Sequence, residues 1–190
     1  KPEPVTEVES RDAISGAILS WKRTRAATEA AHGIRLFFLE RDKERPLSVR
    51  TTTASITALD HVVVSTPDPE RSAALYGARL GLDMALDRSH PDWGRLMFFR
   101  CGDLVVEVTH RPGKGAAASP QGSRDRLRGL CWRVADIDAT HARLVQAGVD
   151  VSEVRTGRKP GTRVMTVRSG TCGVPTLLVQ PSPGKPGTTE

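Results

Sequence analysis

From residue 59 onward the chain switches repeatedly between a two-residue hydrophobic rhythm and a helical one. DHVVVST (60–66) is rich in β-branched residues and reads as a strand. Asp68 then offers a side-chain N-cap, Pro69 suits the first helical position, and Glu70 sits where the helix dipole is positive. A helix is therefore predicted from Asp68 to about Leu80, stopping at Gly81. LDMALDR (82–88), GRLMFFR (94–100) and DLVVEVT (103–109) read as three short strands broken by the turn-rich SHPDWG and CGD. The unit is βαβββ.

The same order returns further on. RGLCWRV (128–134) is a strand, Asp136 a cap, and Gly148 a stop, with Ile137, His141, Leu144 and Val145 as the apolar stripe of the helix between them. VDVSEVRT, TRVMTVRS and VPTLLVQ follow as strands. Superposing Asp136 on Asp68 gives an internal repeat of roughly 65 to 70 residues. Two small sheets, each with one bare apolar face, are expected to bury those faces together. Upstream, GAILSWKRTRA and HGIRLFFLERD predict a β-hairpin within residues 14–41, whose Phe37, Phe38 and Leu39 need a cover on the modules or across a dimer partner. The predicted organisation is a hairpin and linker over 1–57, a domain over 58–182 with modules 58–112 and 128–182 joined by a linker at 113–127, and a flexible tail over 183–190.

Composition narrows the function classes. No apolar run approaches the ~18 residues of a membrane span, and KPEPVTEVESRD lacks the apolar core of a signal peptide, so no membrane role is expected. Cys101, Cys131 and Cys172 are odd in number and form no C-x-x-C pair, which points to a reducing, cytoplasmic setting. The net charge of +6 would attract anions, but the basic residues are scattered singly and aromatics make up only 4%, so no nucleic-acid partner is expected. The first residue is not methionine, so a processed or truncated product is expected, and its start need not be a natural domain start.

These modules, the first opening on DHVVV and closing on LVVEV, the second opening on a strand followed by DIDATHARLVQAG, resemble the vicinal oxygen chelate (VOC) superfamily over residues 59–181. That superfamily includes glyoxalase I, bleomycin-resistance proteins, fosfomycin-resistance enzymes and extradiol dioxygenases. The resemblance implies an α+β fold in which tandem βαβββ modules curl into a cup, and the N-terminal hairpin resembles the last two strands of a further, incomplete module. It also implies a divalent metal (Mn, Ni, Zn or Fe) held by residues on the first and last strands of each module.

The resemblance puts the metal ligands of those strands at His61 and Glu107 and implies that Glu107 is also the catalytic proton carrier. In the second module the equivalent positions fall on Gly129 and Leu177, which offer no ligating side chain, so the ion is expected to be weakly held or absent. Alternation puts Gly129, Cys131 and Arg133 on one face. Arg133 is expected to reach the cup and favour anions, Cys131 to be a small core-like residue lining it, and Trp132 to face the helix. Glu40 is a weak candidate for a third ligand. His32, His90 and His110 are assigned no role, and His141 a structural one. Two function classes follow for a small-molecule cup in a chain that could pair as a homodimer. One is a metal-dependent lyase, isomerase or dioxygenase-like enzyme; the other is a metal-free binding protein of bleomycin-resistance type.

Overall fold

A computed structural model describes residues 2–41, 52–111 and 124–182. The expected 183–190 tail, most of the inter-module linker and part of the first linker lie outside them. Among the described residues no helix is long and apolar enough to cross a membrane.

The first module runs β4 (Ile56–Ser65), α1 (Pro69–Ala73), β5 (Asp83–His90), β6 (Gly94–Cys101) and β7 (Leu104–His110); the second runs β8 (Arg126–Val134), α2 (Ile137–Gln146), β9 (Arg155–Thr156), β10 (Arg163–Val167) and β11 (Thr176–Gln180). Together they form one eight-stranded sheet in the order β5-β6-β7-β4-β8-β11-β10-β9. Within each module the first and last strands are parallel neighbours, and the modules join where β4 lies antiparallel to β8. His61 faces Cys131 and Val63 faces Gly129 across that seam. Superposing Asp136 on Asp68 exchanges these two pairs, so the sequence repeat becomes an approximate two-fold axis between the strands.

Both helices begin as predicted. The Asp68 carboxylate accepts from the Arg71 N–H, and that of Asp136 accepts from the N–H groups of Asp138 and Ala139. The first helix departs from expectation after one turn, because Ala74–Arg79 widens into a π-helix and Leu80 donates to the Leu75 carbonyl. The wider turn brings the adjacent Leu75 and Tyr76 into the core together, at 4% and 3% exposure, and Tyr76 meets the Phe99 ring at 5.6 Å. In α2, Ile137 and Thr140 are buried while Val145 is exposed. The predicted stripe is corrected there: Val145 lies about 100° past Leu144 around the helix axis and so faces water.

Alternation along the strands separates cup from core. Val64, Met97, Phe99, Val106 and Val108 form the first core under the helix, and Val134, Ile137, Met165 and Leu178 form a smaller second one, against which Trp132 packs. Burying such side chains contributes about 1.5–3 kcal/mol each.

The N-terminal region is a separate three-stranded antiparallel sheet of β1 (Thr6–Arg11), β2 (Ile18–Arg25) and β3 (Phe37–Arg41). The expected hairpin is its β2–β3 pair, and β1 is an addition, since TEVESR is too polar to read as a strand. Phe37, Phe38 and Leu39 remain 49%, 42% and 51% exposed, so the modules do not cover them. The β2–β3 connection docks instead: Ile34 joins the first core with Leu36 against it, and the His32 carbonyl accepts from the Asp125 N–H. Asp125 is fully buried, and its carboxylate is satisfied by Thr66, Arg71 and Ser72.

Candidate functional site

On the face opposite the helices the sheet encloses a cavity of about 760 Å³. His61 and Val63 from β4, Val105 and Glu107 from β7, and Leu96 and Phe98 from β6 line the first-module side. The parallel register sets Glu107 beside Val63, two residues along from His61. The His61 Nε2 therefore lies 3.3 Å from the Glu107 Oε2, with side chains only 18% and 16% exposed. Burial pushes the Glu107 carboxyl above its ordinary pKa, an effect opposed by the charges of His61, Arg158 and Arg111.

Asp60 is the cavity residue that alternation hides. A strand neighbour of His61 should point to the opposite face, but β4 is irregular here: Leu59 pairs with Trp132 and His61 with Cys131, leaving Asp60 as an extra residue between them. This bulge turns Asp60 into the cavity as well. Its Oδ2 lies 2.8 Å from the His61 Nδ1 and its Oδ1 accepts from the Arg133 Nε at 2.6 Å. The bond to His61, with support from Arg133, holds the Asp60 pKa down to about 2.

Arg133 differs from its expected role. Its Nη2 donates to the Asp103 carbonyl at 2.7 Å and its Nε to Asp60, so those two donors hold the bulge, and it is not among the cavity-lining residues. Cys131 is 1% exposed, and burial, followed by the charges of Asp60 and Glu107, pushes its thiol up to about 12. Gly129 lines the cavity, but a Cβ there would lie 2.6 Å from the Pro175 carbonyl oxygen, so packing itself calls for glycine. Leu177 pairs with Cys131 on the register that sets Glu107 beside Val63 and packs with Cys131, Val164 and Val179 into an apolar floor. Glu40 lies on β3, in the other sheet, paired with Lys22. It contributes nothing to the cavity.

Asp60, His61 and Cys131 bring donor atoms within 4.8 Å of one another, a grouping that could hold a metal ion. Its chemistry is unfavourable for a tightly held one. Both Asp60 oxygens and the His61 Nδ1 are already engaged, and the Cys131 thiol keeps its proton. The His61 Nε2 and Glu107 are left as open donors, where catalytic metal sites usually offer three protein ligands. The far wall is basic, with Arg128, Arg155, Arg158 and Lys159 around its rim. Sequence reading treated these as scattered surface charge, although RTGRKPGTR already places several of them within one Gly- and Pro-containing turn.

A sheet of two symmetry-related βαβββ modules around one concave cavity defines a paired-module cup protein. The family model for the Glyoxalase/Bleomycin resistance protein/Dioxygenase superfamily matches residues 58–174, and the chain belongs to that superfamily. It is 31% identical over 100 residues to an ethylmalonyl-CoA/methylmalonyl-CoA epimerase of Cereibacter sphaeroides, a match spanning 50% of this chain and 75% of the relative. Among solved structures it resembles methylmalonyl-CoA epimerase from Mycobacterium tuberculosis, with a TM-score of 0.55 at 23% identity over 67% of this chain and 90% of that one. A Streptomyces coelicolor methylmalonyl-CoA epimerase variant in complex with 2-nitronate-propionyl-CoA gives a TM-score of 0.54 at 23% identity over 68% of this chain and 100% of that one. These structural likenesses establish the fold.

Proposed function

We propose that the cup binds a small carbonyl-bearing molecule and that Glu107 and His61 exchange a proton with it, an isomerase-type activity of the kind named for the epimerase relatives. One observation carries this reading: a desolvated carboxylate faces a histidine nitrogen at 3.3 Å inside a cavity large enough for an organic ligand. Asp60 supplies the orientation. As an ionised acceptor it takes a hydrogen bond from the His61 Nδ1–H and leaves Nε2 to share one proton with Glu107.

With that proton on Nε2, Glu107 is the base. The C–H bond beside the carbonyl breaks, its proton passes to Glu107, and its electron pair moves onto the carbonyl oxygen, to which the Nε2–H donates. Return of the proton from Glu107 to the same face gives back the substrate with exchange, whereas delivery of a proton from water to the opposite face, with Glu107 releasing its own proton to solvent, gives the isomer and restores the original protonation. No step is assigned to a metal, because the donors present do not match a tightly bound one.

The test is deuterium wash-in. Methylmalonyl-CoA, the compound named for the relatives, is incubated with the protein in deuterium oxide and the proton next to its thioester carbonyl is followed by NMR. Exchange should be catalysed by wild type and fall about 10²-fold or more in Glu107→Gln. Saturable ligand binding without exchange would replace this reading with metal-free sequestration, which the apolar floor of Cys131, Val164, Leu177 and Val179 favours.

A further inference from the structure

The rim of the second module carries more positive charge than its own contacts use. Arg128 lies on β8, Arg155 on β9, and Arg158 and Lys159 in the turn between β9 and β10, and all line the cavity. No ion pair is formed by Arg128, Arg155 or Lys159 among the described residues, whereas the nearby Arg163 pairs with Asp138 and Arg133 with Asp60. Among the described residues, the carboxylates lining the cavity are those of Asp60, already held by Arg133, and Glu107.

The turn is a firm platform. The Gly157 N–H donates to the Thr162 carbonyl at 2.8 Å, and the Thr162 N–H and hydroxyl both donate to the Lys159 carbonyl, at 3.1 and 2.6 Å. Thr162 is 6% exposed, and a Cβ at Gly157 would strike its hydroxyl at 2.2 Å. Across the mouth, the Arg158 guanidinium lies 5.7 Å from the ring centre of Trp93, which stacks on His90 at 4.8 Å. A guanidinium resting on a ring keeps its in-plane N–H groups free to donate.

We infer that Arg128, Arg155, Arg158 and Lys159 form an oxyanion subsite, taking a carboxylate or phosphate carried by the ligand on the second-module side of the cup. The inference rests on the reading of the cavity as a small-molecule cup. The first-module wall would hold the ligand's apolar middle through Leu96 and Phe98, with an anion at one end and a carbonyl at the other. Arginine suits such a rim because its forked donors match carboxylate and phosphate oxygens.

Isothermal titration with orthophosphate, pyrophosphate and malonate, at ionic strength held constant with sodium chloride, tests it. At least one of these anions should bind saturably, malonate alone indicating a carboxylate and the phosphates alone a phosphate. Lys159→Gln should weaken that binding about tenfold, which is about 1.4 kcal/mol, and the Arg155→Gln/Arg158→Gln double variant further. Arg168→Gln removes the same charge from a residue paired with Asp150 and should titrate like wild type. Absence of binding by all three anions, or equal weakening in Arg168→Gln, would overturn the subsite. Retained anion binding in protein that fails to exchange deuterium would remove the proton-transfer reading alone. Exchange by protein that binds no anion would remove the subsite alone.

Discussion

At equivalent places on their first and last strands, one module presents His61 and Glu107 and the other Gly129 and Leu177. The backbones obey the same rules on both sides: an aspartate cap, a helix, and a last strand returning parallel to the first. The difference at these four positions therefore lies in their side chains, and each side has a packing reason. On the polar side, Asp60 and Arg133 hold the histidine, so a buried polar pair is satisfied. On the apolar side, the Pro175 carbonyl occupies the space a side chain at 129 would need, and Leu177 closes a floor with Cys131 and Val179. A two-fold frame thus carries a one-sided site, with its donors on one wall and its cations on the other.

The largest expected effects concern what supports each wall. Phe99 is fully buried in a cluster of eight, seven from the first module and Ile34 from the N-terminal region, and Met165 is fully buried in a cluster of four in the second. Phe99→Ala should cost about 3–5 kcal/mol and Met165→Ala about 2–3 kcal/mol in urea unfolding. Equal costs would show that the polar wall has no stiffer support than the apolar one.

Gly129→Ala comes next. A methyl group 2.6 Å from the Pro175 oxygen forces β8 and the approach to β11 apart, and a loss of about 1–3 kcal/mol is expected by the same measurement. An unchanged stability would mean that glycine there reflects lost chemistry and not packing. A smaller effect should follow Leu177→Glu, which places a third carboxylate donor on the floor without meeting that carbonyl. Nickel or manganese affinity, read by calorimetry, should rise about tenfold over wild type. No gain would place Leu177 out of reach of the His61 and Glu107 pair.

Much of this comparison was legible in the residues. Caps and glycine stops marked the helix starts and the repeat, because these signals are local; the resemblance to the family's strand positions picked out His61, Glu107, Gly129 and Leu177, and alternation put neighbours two apart on one face. What escaped was non-local. The bulge that turns Asp60 beside His61 exists only in the pairing of β4 with β8, and it is also what draws Arg133 away from the ligand space. The cation rim escaped because Arg128 and Arg155 line one cavity only when β8 and β9 curve around it. The docking of Ile34 into the first core likewise depends on a contact between distant segments.

The smallest effect separates the two carboxylates that flank His61. Burial raises the folded-state pKa of Glu107 above its ordinary value of 4.5, so its proton is bound more tightly in the folded chain than in the unfolded one. Its charge therefore opposes folding at neutral pH, and this opposition is relieved as pH falls through the raised value. Asp60 has the opposite sign: with its pKa held near 2, it contributes stability above the unfolded value of 3.8 that is lost as pH falls through about 2. Glu107→Gln removes only the first contribution. The variant should melt a few degrees higher than wild type at neutral pH. Its advantage should shrink as pH falls through the raised Glu107 value, where wild type gains stability by protonating Glu107. Asp60→Asn should melt lower than wild type at neutral pH and approach it only in strong acid. Thermal melts of the three proteins across that range check the signs. A Glu107→Gln protein that melts lower at neutral pH would show that the carboxylate is held by its neighbours more strongly than burial opposes it, and the two acids beside His61 would then be alike.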